Sequence, residues 1–230
     1  MGRERVGIKK RLIGALGSVL VVLSTCEVLS LKAVEADSSA EKKMERAALP
    51  PIGTYKIDSD HSFAFFGARH HVVGLVRGRF DKVSGTITVA KDSSDSSVDV
   101  TIDTASISTQ NAKRDEDLRS PEYFDVNKFP TMIYHGRGIR RVSGGAWVMD
   151  GSLTMHGVTK LVPLTFRFNG AFSDPEPGQP ARVAFHATAG VKRAEFGMGA
   201  RDNLEELGML TTPDVQIEID VESDASSSSH

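Results

Sequence analysis

The chain has 230 residues, of which 40% are hydrophobic and 25% are charged, so it holds enough apolar material for one core of ordinary size. Its formal net charge of -2 argues against a nucleic-acid binder, which normally presents a strongly basic face. The single Cys excludes an internal disulfide framework and any CxxC metal or redox motif. Short runs of Val, Ile and Thr predict one β-rich domain.

The first 36 residues have the organisation of a secretory signal peptide. Basic residues within 3–11 precede an uncharged, Leu/Val-rich stretch over 12–26, which is too short to span a bilayer as a helix. Residues 34–36 (VEA) fit a small-residue cleavage site, so we predict export to the periplasm and a mature N-terminus at Asp37. Two alternatives stay open: lipoprotein processing with acylation of Cys26, and an uncleaved anchor helix in which the apolar stretch extends past Glu27 to Leu31.

Both flanks of the domain have the composition of segments without regular structure. Residues 37–52 are polar and contain the pair Pro50-Pro51, which is typical of a flexible linker. Residues 223–230 contain a run of serines, which is typical of a disordered tail. The folded domain is therefore predicted to span 53–222.

Alternation of apolar and polar side chains recurs along this domain and predicts antiparallel strands. In chain order, the predicted strands are 85–90, 98–103, 131–134, 146–149, 161–168, 183–189 and 215–222. Turn-forming residues separate them at 91–97, 143–145 and 174–178.

One charged segment interrupts the alternation. Residues 112–118 predict a short helical turn, and Ser120 followed by Pro121 predicts a second one over 121–124. No longer helical runs alternate with the strands, so a βαβ architecture is not expected. We predict an all-β fold, an antiparallel β-barrel with one or two short helices, because the strands must bury their apolar faces against one another and closure removes exposed edges.

The sequence contains no recognisable catalytic or metal-binding motif, and we predict neither a metal site nor a cofactor. His70 and His71 are neighbours, so on a strand they point to opposite faces and do not chelate one metal together. His61 lies close to Asp58 in the sequence. A hydrolase or isomerase that uses His61 with Asp58 or Asp115 therefore stays an alternative, although sequential neighbours rarely form a catalytic triad.

The charged residues 114–117 allow two interpretations. They form either a solvated helix face or a polar rim over a barrel mouth, where Arg114 meets an anionic head group or a carboxylate. A closed barrel of about eight strands is either filled by side chains or holds one small ligand. A stress-linked structural module with a packed interior therefore stays open beside a ligand-binding barrel.

Several short motifs resemble, in their order and spacing, those of the YceI-like family over about residues 53 to 222. The motifs are Tyr55-Lys56-Ile57-Asp58, His61-Ser62, Gly78-Arg79-Phe80, Ser106-Ile107-Ser108-Thr109, Arg114-Asp115, Leu118-Arg119-Ser120-Pro121, Tyr123-Phe124-Asp125, Phe129-Pro130, GSLTMHGVTK at 151–160, and Arg193-Ala194-Glu195-Phe196-Gly197.

The resemblance implies an exported bacterial protein with a lipocalin-like antiparallel barrel. Its apolar interior would bind a polyisoprenoid or similar amphiphilic lipid, and no catalysis is established for the family as a whole. The core-facing residues of the family's first strand match Ser62, Ala64, Phe66, Ala68 and His70. Ala64 and Ala68 are smaller than the residues usual there, which leaves the length and identity of the lipid open.

We therefore predict a periplasmic lipid carrier with five ligand-binding residues. Phe66 and Phe80 would line the lumen, His70 or Arg114 would hold a phosphate or hydroxyl head group near the mouth, and Asp115 would lie beside Arg114. The expected partner is an amphiphilic lipid and not a nucleic acid. Peripheral membrane contact and a homodimer are left open by the sequence.

Overall fold

The computed structural model describes residues 49–70, 73–172, 180–199, 205, 206, 208, 210 and 212–226. Within these residues the chain forms twelve β-strands and one α-helix. The strands are β1 (Gly53–Ile57), β2 (Phe63–His70), β3 (Gly74–Phe80), β4 (Val83–Val89), β5 (Ser97–Asp103), β6 (Ile107–Ser108), β7 (Thr131–Arg141), β8 (Trp147–Met155), β9 (Val158–Leu161), β10 (Leu164–Phe172), β11 (Arg182–Val191) and β12 (Val215–Ala225). The helix α1 spans Ala112–Arg119.

Eight strands form a closed antiparallel ring in the order β1, β4, β5, β7, β8, β10, β11 and β12, and pairing of β1 with β12 closes it. Strand β2 extends the wall along the other half of β12, and β3 pairs with β2 and β6. The predicted all-β barrel is confirmed. Because the ring is closed, its eight strands have paired edges and their inward side chains form a common core.

Six of these strands are halves of three longer ones that bend sharply in the middle. The pairs of halves are β1 and β2, β3 and β4, and β5 and β6. Polar side chains hold these corners. At the first, the Ser62 hydroxyl donates to the Glu222 carbonyl and accepts from the Glu222 N–H, both at 3.1 Å. At the other two, the Ser106 hydroxyl donates to the Asp103 carbonyl at 2.6 Å and accepts from the Lys82 N–H at 3.2 Å. These bonds connect the corner residues to neighbouring backbone groups, and at the first corner the Glu222 carbonyl also accepts from the Asp58 N–H at 2.9 Å.

Helix α1 begins where the sequence predicts it. The Asn111 side chain caps its first turn by accepting from the Arg114 N–H at 3.1 Å. The second predicted helical turn, at 121–124, is wrong, because these residues form turns. The Tyr123 N–H and the Asp125 N–H both donate to the Ser120 carbonyl, and Asp125 has a φ of 44°. That pattern does not continue as i to i−4 bonds, so no helix is formed.

Several strands differ from the prediction: β7 and β8 continue to Arg141 and Met155, well beyond the predicted ends at 134 and 149, and β1, β2, β3 and β6 were not predicted from the alternation. Two further differences have a clear local cause or consequence. The expected strand 161–168 is divided, since β9 ends at Leu161 and β10 begins at Leu164, with Pro163 between them. Proline has no N–H for the ladder, which explains the break. At the other boundary, β12 continues to Ala225 and pairs with β1, so the predicted tail does not begin at residue 223.

Motif residues pack together at the end of the barrel where β8 and β11 finish. The His156 ring contacts the Phe196 carbonyl at 3.1 Å through Nδ1 and meets the Phe129 ring edge-on at 4.8 Å. Gly157 adopts a φ of 75° under the Phe129 ring, where a Cβ would clash. These motifs therefore hold the barrel end together.

At the opposite end a separate apolar cluster fills the barrel. It consists of Tyr55, Val89, Val183 and Phe185, each less than 9% exposed. The Tyr55 hydroxyl donates to the Pro51 carbonyl at 2.7 Å, which attaches the last residues of the predicted linker to this end. The predicted signal peptide, the linker up to residue 48 and the predicted loop 174–178 lie outside the described residues.

Candidate functional site

Between its two ends the barrel encloses an apolar cavity, called the lumen below. The volume of this cavity is about 200 Å³. Among the described residues that line the lumen, Arg193 is the one with a charged side chain, and Tyr123 and Tyr134 are the ones with hydroxyls. All others are aliphatic, aromatic or methionine side chains. A lumen of this kind offers a ligand burial of hydrocarbon and very little hydrogen bonding.

The lumen is hollow because small side chains stand where a filled barrel would have large ones. Ala64 and Ala68 line it from β2, and Ala187 and Ala189 line it from β11. In the strand registers, Ile219 of β12 lies between Ala64 on one side and Ala187 on the other. The interior is therefore not filled by side chains, which disfavours the packed structural module.

The two aromatic residues that the sequence proposed as lining residues do line the lumen. Phe80 is 5% exposed, and its ring centroid lies 5.7 Å from that of Phe66. Phe124, which follows helix α1, meets Phe80 edge-on at 5.4 Å. The segment after the helix therefore contributes to the wall, together with Leu118 of the helix itself.

The hydroxyl of Tyr134 is turned into the wall. It donates to the Val162 carbonyl at 3.1 Å, and burial, aided by the charge of Asp150, raises the pKa of Tyr134 to about 12. Because its hydroxyl is engaged by the backbone, this residue presents mainly its ring to the lumen. Its neutral form therefore persists over the whole physiological pH range.

Arg193 and Asp214 form an ion pair at the wall of the lumen that the sequence alone did not suggest. The Arg193 Nε donates to Asp214 Oδ2 at 2.5 Å, and the Arg193 N–H donates to Oδ1 at 2.9 Å. The Asp214 side chain is 1% exposed. The carboxylate thus neutralises the one charge beside the lumen and joins the end of β11 to the start of β12. Arg193 belongs to a recognised motif, whereas nothing in the sequence marked Asp214.

The three polar residues proposed as ligand contacts are not among the lining residues. His70 is exposed at the end of β2, two residues beyond Ala68, where pairing with β12 ends. The Arg114 guanidinium donates to Thr109 Oγ1 at 2.7 Å and to the Thr109 carbonyl at 3.1 Å. Asp115 is buried and accepts from the Thr109 N–H at 2.8 Å and from its hydroxyl at 2.6 Å. Arg114 and Asp115 therefore fix the turn between β6 and α1.

His61 and Asp58 do come together, at the corner between β1 and β2. His61 Nδ1 lies 2.9 Å from Asp58 Oδ2, and the same oxygen lies 3.3 Å from an Arg182 nitrogen. The hydrogen bond raises the pKa of His61 above its ordinary value and lowers that of Asp58. The next residue, Ser62, is fully buried and bonded to Glu222. Neither His61 nor Asp58 lines the lumen, and their contacts stabilise the corner between β1 and β2.

Among the described residues there is no group of three or more His, Cys, Asp or Glu side chains placed to hold a metal ion. His71, the second member of the histidine pair, lies outside the described residues. Helices within the described part of the chain are too short or too polar to cross a membrane.

Comparison with protein families gives one match that covers most of the domain. The family model described as "YceI-like domain" matches residues 55–223. Among curated proteins, Protein YceI of Salmonella newport (strain SL254) is 35% identical over 147 residues, which cover 63% of this chain and 75% of that protein.

Solved structures of the same architecture include two from named bacteria. The Campylobacter jejuni YCEI protein superposes with a TM-score of 0.57 at 25% identity and covers 69% of this chain and 90% of that chain. Burkholderia cenocepacia BcnA gives a TM-score of 0.55 at 21% identity, over 74% and 99% of the two chains.

A third solved structure is described as a polyisoprenoid binding domain from Saccharophagus degradans, implicated in plant cell wall breakdown. Its TM-score is 0.53 at 16% identity, over 75% of this chain and 98% of that one. At these identities BcnA and the Saccharophagus domain establish a common barrel fold.

Proposed function

Because the chain belongs to the YceI-like family, we propose that it binds an amphiphilic lipid of the polyisoprenoid type in its lumen and carries that lipid outside the cytoplasm. The observation that carries the proposal is the lumen itself. It is enclosed by the barrel wall, and among its described lining residues one charged group is present, already neutralised by Asp214.

The lining favours the hydrocarbon part of a ligand. Each methylene that moves from water into such a lumen gains about 0.8 kcal/mol before ordering costs. A phosphate or hydroxyl head group inside it would lose its water and find few partners, which is unfavourable by several kcal/mol. A ligand with an apolar tail and a polar head therefore fits best with its tail inside and its head outside the lumen.

A solved structure of the same fold adds support for this ligand class. The Saccharophagus domain of the same fold is described as binding polyisoprenoid. Branched isoprenoid tails also suit a lumen lined by methyl groups, aromatic rings and methionine, since methionine side chains adapt to irregular shapes.

Export is the second part of the proposal and rests on residues 1–36. Their basic start, short apolar stretch and VEA site support a cleaved signal peptide and a periplasmic location. N-terminal sequencing of the protein from its host should give Asp37. An intact Met1 would reject cleavage, and an acylated Cys26 would replace it with lipoprotein anchoring.

Uptake and transfer by delipidated protein test the lipid-binding part. The protein should take up undecaprenyl phosphate from vesicles at one protein per lipid and deliver it to acceptor vesicles. Uptake that requires direct vesicle contact would also show peripheral membrane binding. No uptake of undecaprenyl phosphate or of undecaprenol would reject the carrier function.

A further inference from the structure

We infer that Gly136 and Gly151 form a recess in the barrel wall that holds the Tyr134 ring close against the wall of the lumen, and that this recess determines how long an isoprenoid tail the protein accepts. The inference rests on the proposed lipid binding and deepens it, since it names the residues that select tail length.

The two glycines lie directly opposite each other. Gly136 of β7 pairs with Gly151 of β8, so a patch of wall two residues wide has no side chains. A Cβ on Gly151 would lie within 3.0 Å of Tyr134 Oη and Cζ. A Cβ on Gly136 would lie 2.9 Å from Tyr134 Cε1 and within 3.0 Å of Met149 Sδ. The Tyr134 ring and Met149 therefore occupy the space that two ordinary side chains would take.

Hydrogen bonds hold the ring in this position. The Tyr134 hydroxyl donates to the Val162 carbonyl at 3.1 Å, and the Val162 N–H donates to the Gly151 carbonyl at 2.8 Å. Tyr134 is thus connected through Val162 to the same glycine that its ring covers. Glycine inside a strand lowers stability, so two paired glycines indicate a place where close approach is needed.

The consequence concerns the room left for a ligand. Tyr134 and Met149 both line the lumen. A methyl group at position 136 would push the ring, Met149 or both away from the wall, and the inward direction is the one with empty space. A methyl group at position 151 would push the ring in the same way and would also lie 2.8 Å from the His135 carbonyl oxygen, so part of the strain there would fall on the backbone. In such a variant the Tyr134 ring would project into the lumen and would limit the length of the tail that fits.

A second recess of the same design supports this interpretation. Gly78 of β3 pairs directly with Phe66 of β2, and a Cβ on Gly78 would lie 2.5 Å from Phe66 Cζ. Here too an aromatic ring that lines the lumen covers a glycine on the adjacent strand. Glycines under rings are therefore a repeated way of keeping this lumen open.

The test is a competition between two tails with the same head group. Delipidated proteins are mixed with equal amounts of geranylgeranyl phosphate and undecaprenyl phosphate, and native mass spectrometry gives the ratio bound. Gly136→Ala and Gly151→Ala should shift this ratio towards the short tail by about tenfold, the effect of losing roughly two methylene contacts. Gly53→Ala is the matched control, because its Cβ meets nothing closer than 3.7 Å, and it should keep the wild-type ratio.

Two further variants separate selection of tail length from general damage. Tyr134→Leu removes the ring and should shift the ratio towards the long tail, and adding it to Gly136→Ala should move that variant back towards wild type. Thermal unfolding of each variant records its stability independently of the ratio.

The outcomes are distinguishable. A wild-type ratio in both glycine variants, or an equal loss of both tails, would overturn the inference while leaving lipid binding intact. An unchanged ratio in Tyr134→Leu would overturn it even if the glycine variants failed to fold. If wild type and Gly53→Ala bound neither lipid, the proposed function itself would fail.

Discussion

The ion pair between Arg193 and Asp214 gives a sharp prediction about stability. Arg193→Met removes the guanidinium and leaves the Asp214 carboxylate, which is 1% exposed, with the backbone N–H of residue 193 as a hydrogen-bond donor. Breaking a buried pair from one side typically costs about 3–5 kcal/mol. Because one hydrogen bond to the carboxylate remains, we expect about 3 kcal/mol. For a domain of this size that corresponds to a fall in Tm of roughly 6–12 °C.

The assay is urea unfolding followed by the fluorescence of Trp147, the single tryptophan of the chain. Arg140→Met is the matched control. Arg140 is 61% exposed and its nitrogen lies 3.9 Å from Asp150, so its loss should change stability by less than about 0.5 kcal/mol.

A double variant checks the cause. Replacing both partners, as Arg193→Met with Asp214→Asn, removes the uncompensated charge and should recover most of the lost stability. The reasoning would be refuted if Arg193→Met stayed within about 1 kcal/mol of wild type, or if the double variant were less stable than Arg193→Met alone.

Three further predictions follow from the other sites. His61→Gln should be less stable than wild type below the ordinary His pKa of 6.5, and this difference in stability should vanish as the pH rises through the raised pKa of His61. The difference should also vanish at low pH, as the pH falls through the lowered pKa of Asp58. Unfolding midpoints measured against pH give both limits. Asp115→Ala should lower the free energy of unfolding by about 1–3 kcal/mol, because it leaves the Thr109 N–H without its acceptor, yet leave the preference for phosphate over hydroxyl head groups unchanged; a changed preference would restore Asp115 as a ligand contact. Phe80→Asp, or the same change at Phe66, should abolish lipid co-purification, whereas Phe80→Leu should fold and retain lipid with an altered chain preference. If the Asp and Leu variants both retained lipid, the ligand would have to bind elsewhere.

Much of the barrel could be predicted from the sequence because a half-buried strand has a local signature. Alternation over 98–103 and 215–222 is visible within one strand, and both fall within observed strands. The break at Pro163 also had a local cause that the alternation over 161–168 concealed. The helical interpretation of 121–124 failed because a cap and a proline start a helix only where successive i to i−4 bonds can follow.

The lumen could be predicted only in part, because its shape depends on residues that are distant in sequence. Whether a barrel is hollow is decided by pairs such as Ala64 and Ala187, which approach each other only through the register with β12. The alternation identified neither as special, and the family resemblance singled out Ala64 but not Ala187.

The contacts of the charged residues could not be predicted for a related reason. Arg114 and Asp115 are conspicuous in the sequence, but their nearest partners are local and they hold Thr109. The charge that does reach the lumen, Arg193, depends on Asp214, which is 21 residues away in the sequence.

The central claim is that the lumen holds an isoprenoid lipid, and native mass spectrometry of protein purified gently from its own host tests it most directly. The spectrum should show the protein with one bound lipid, and extraction should identify that lipid as a polyprenyl compound with a polar head. A lipid-free protein that also takes up no added polyprenyl phosphate or polyprenol would contradict the claim.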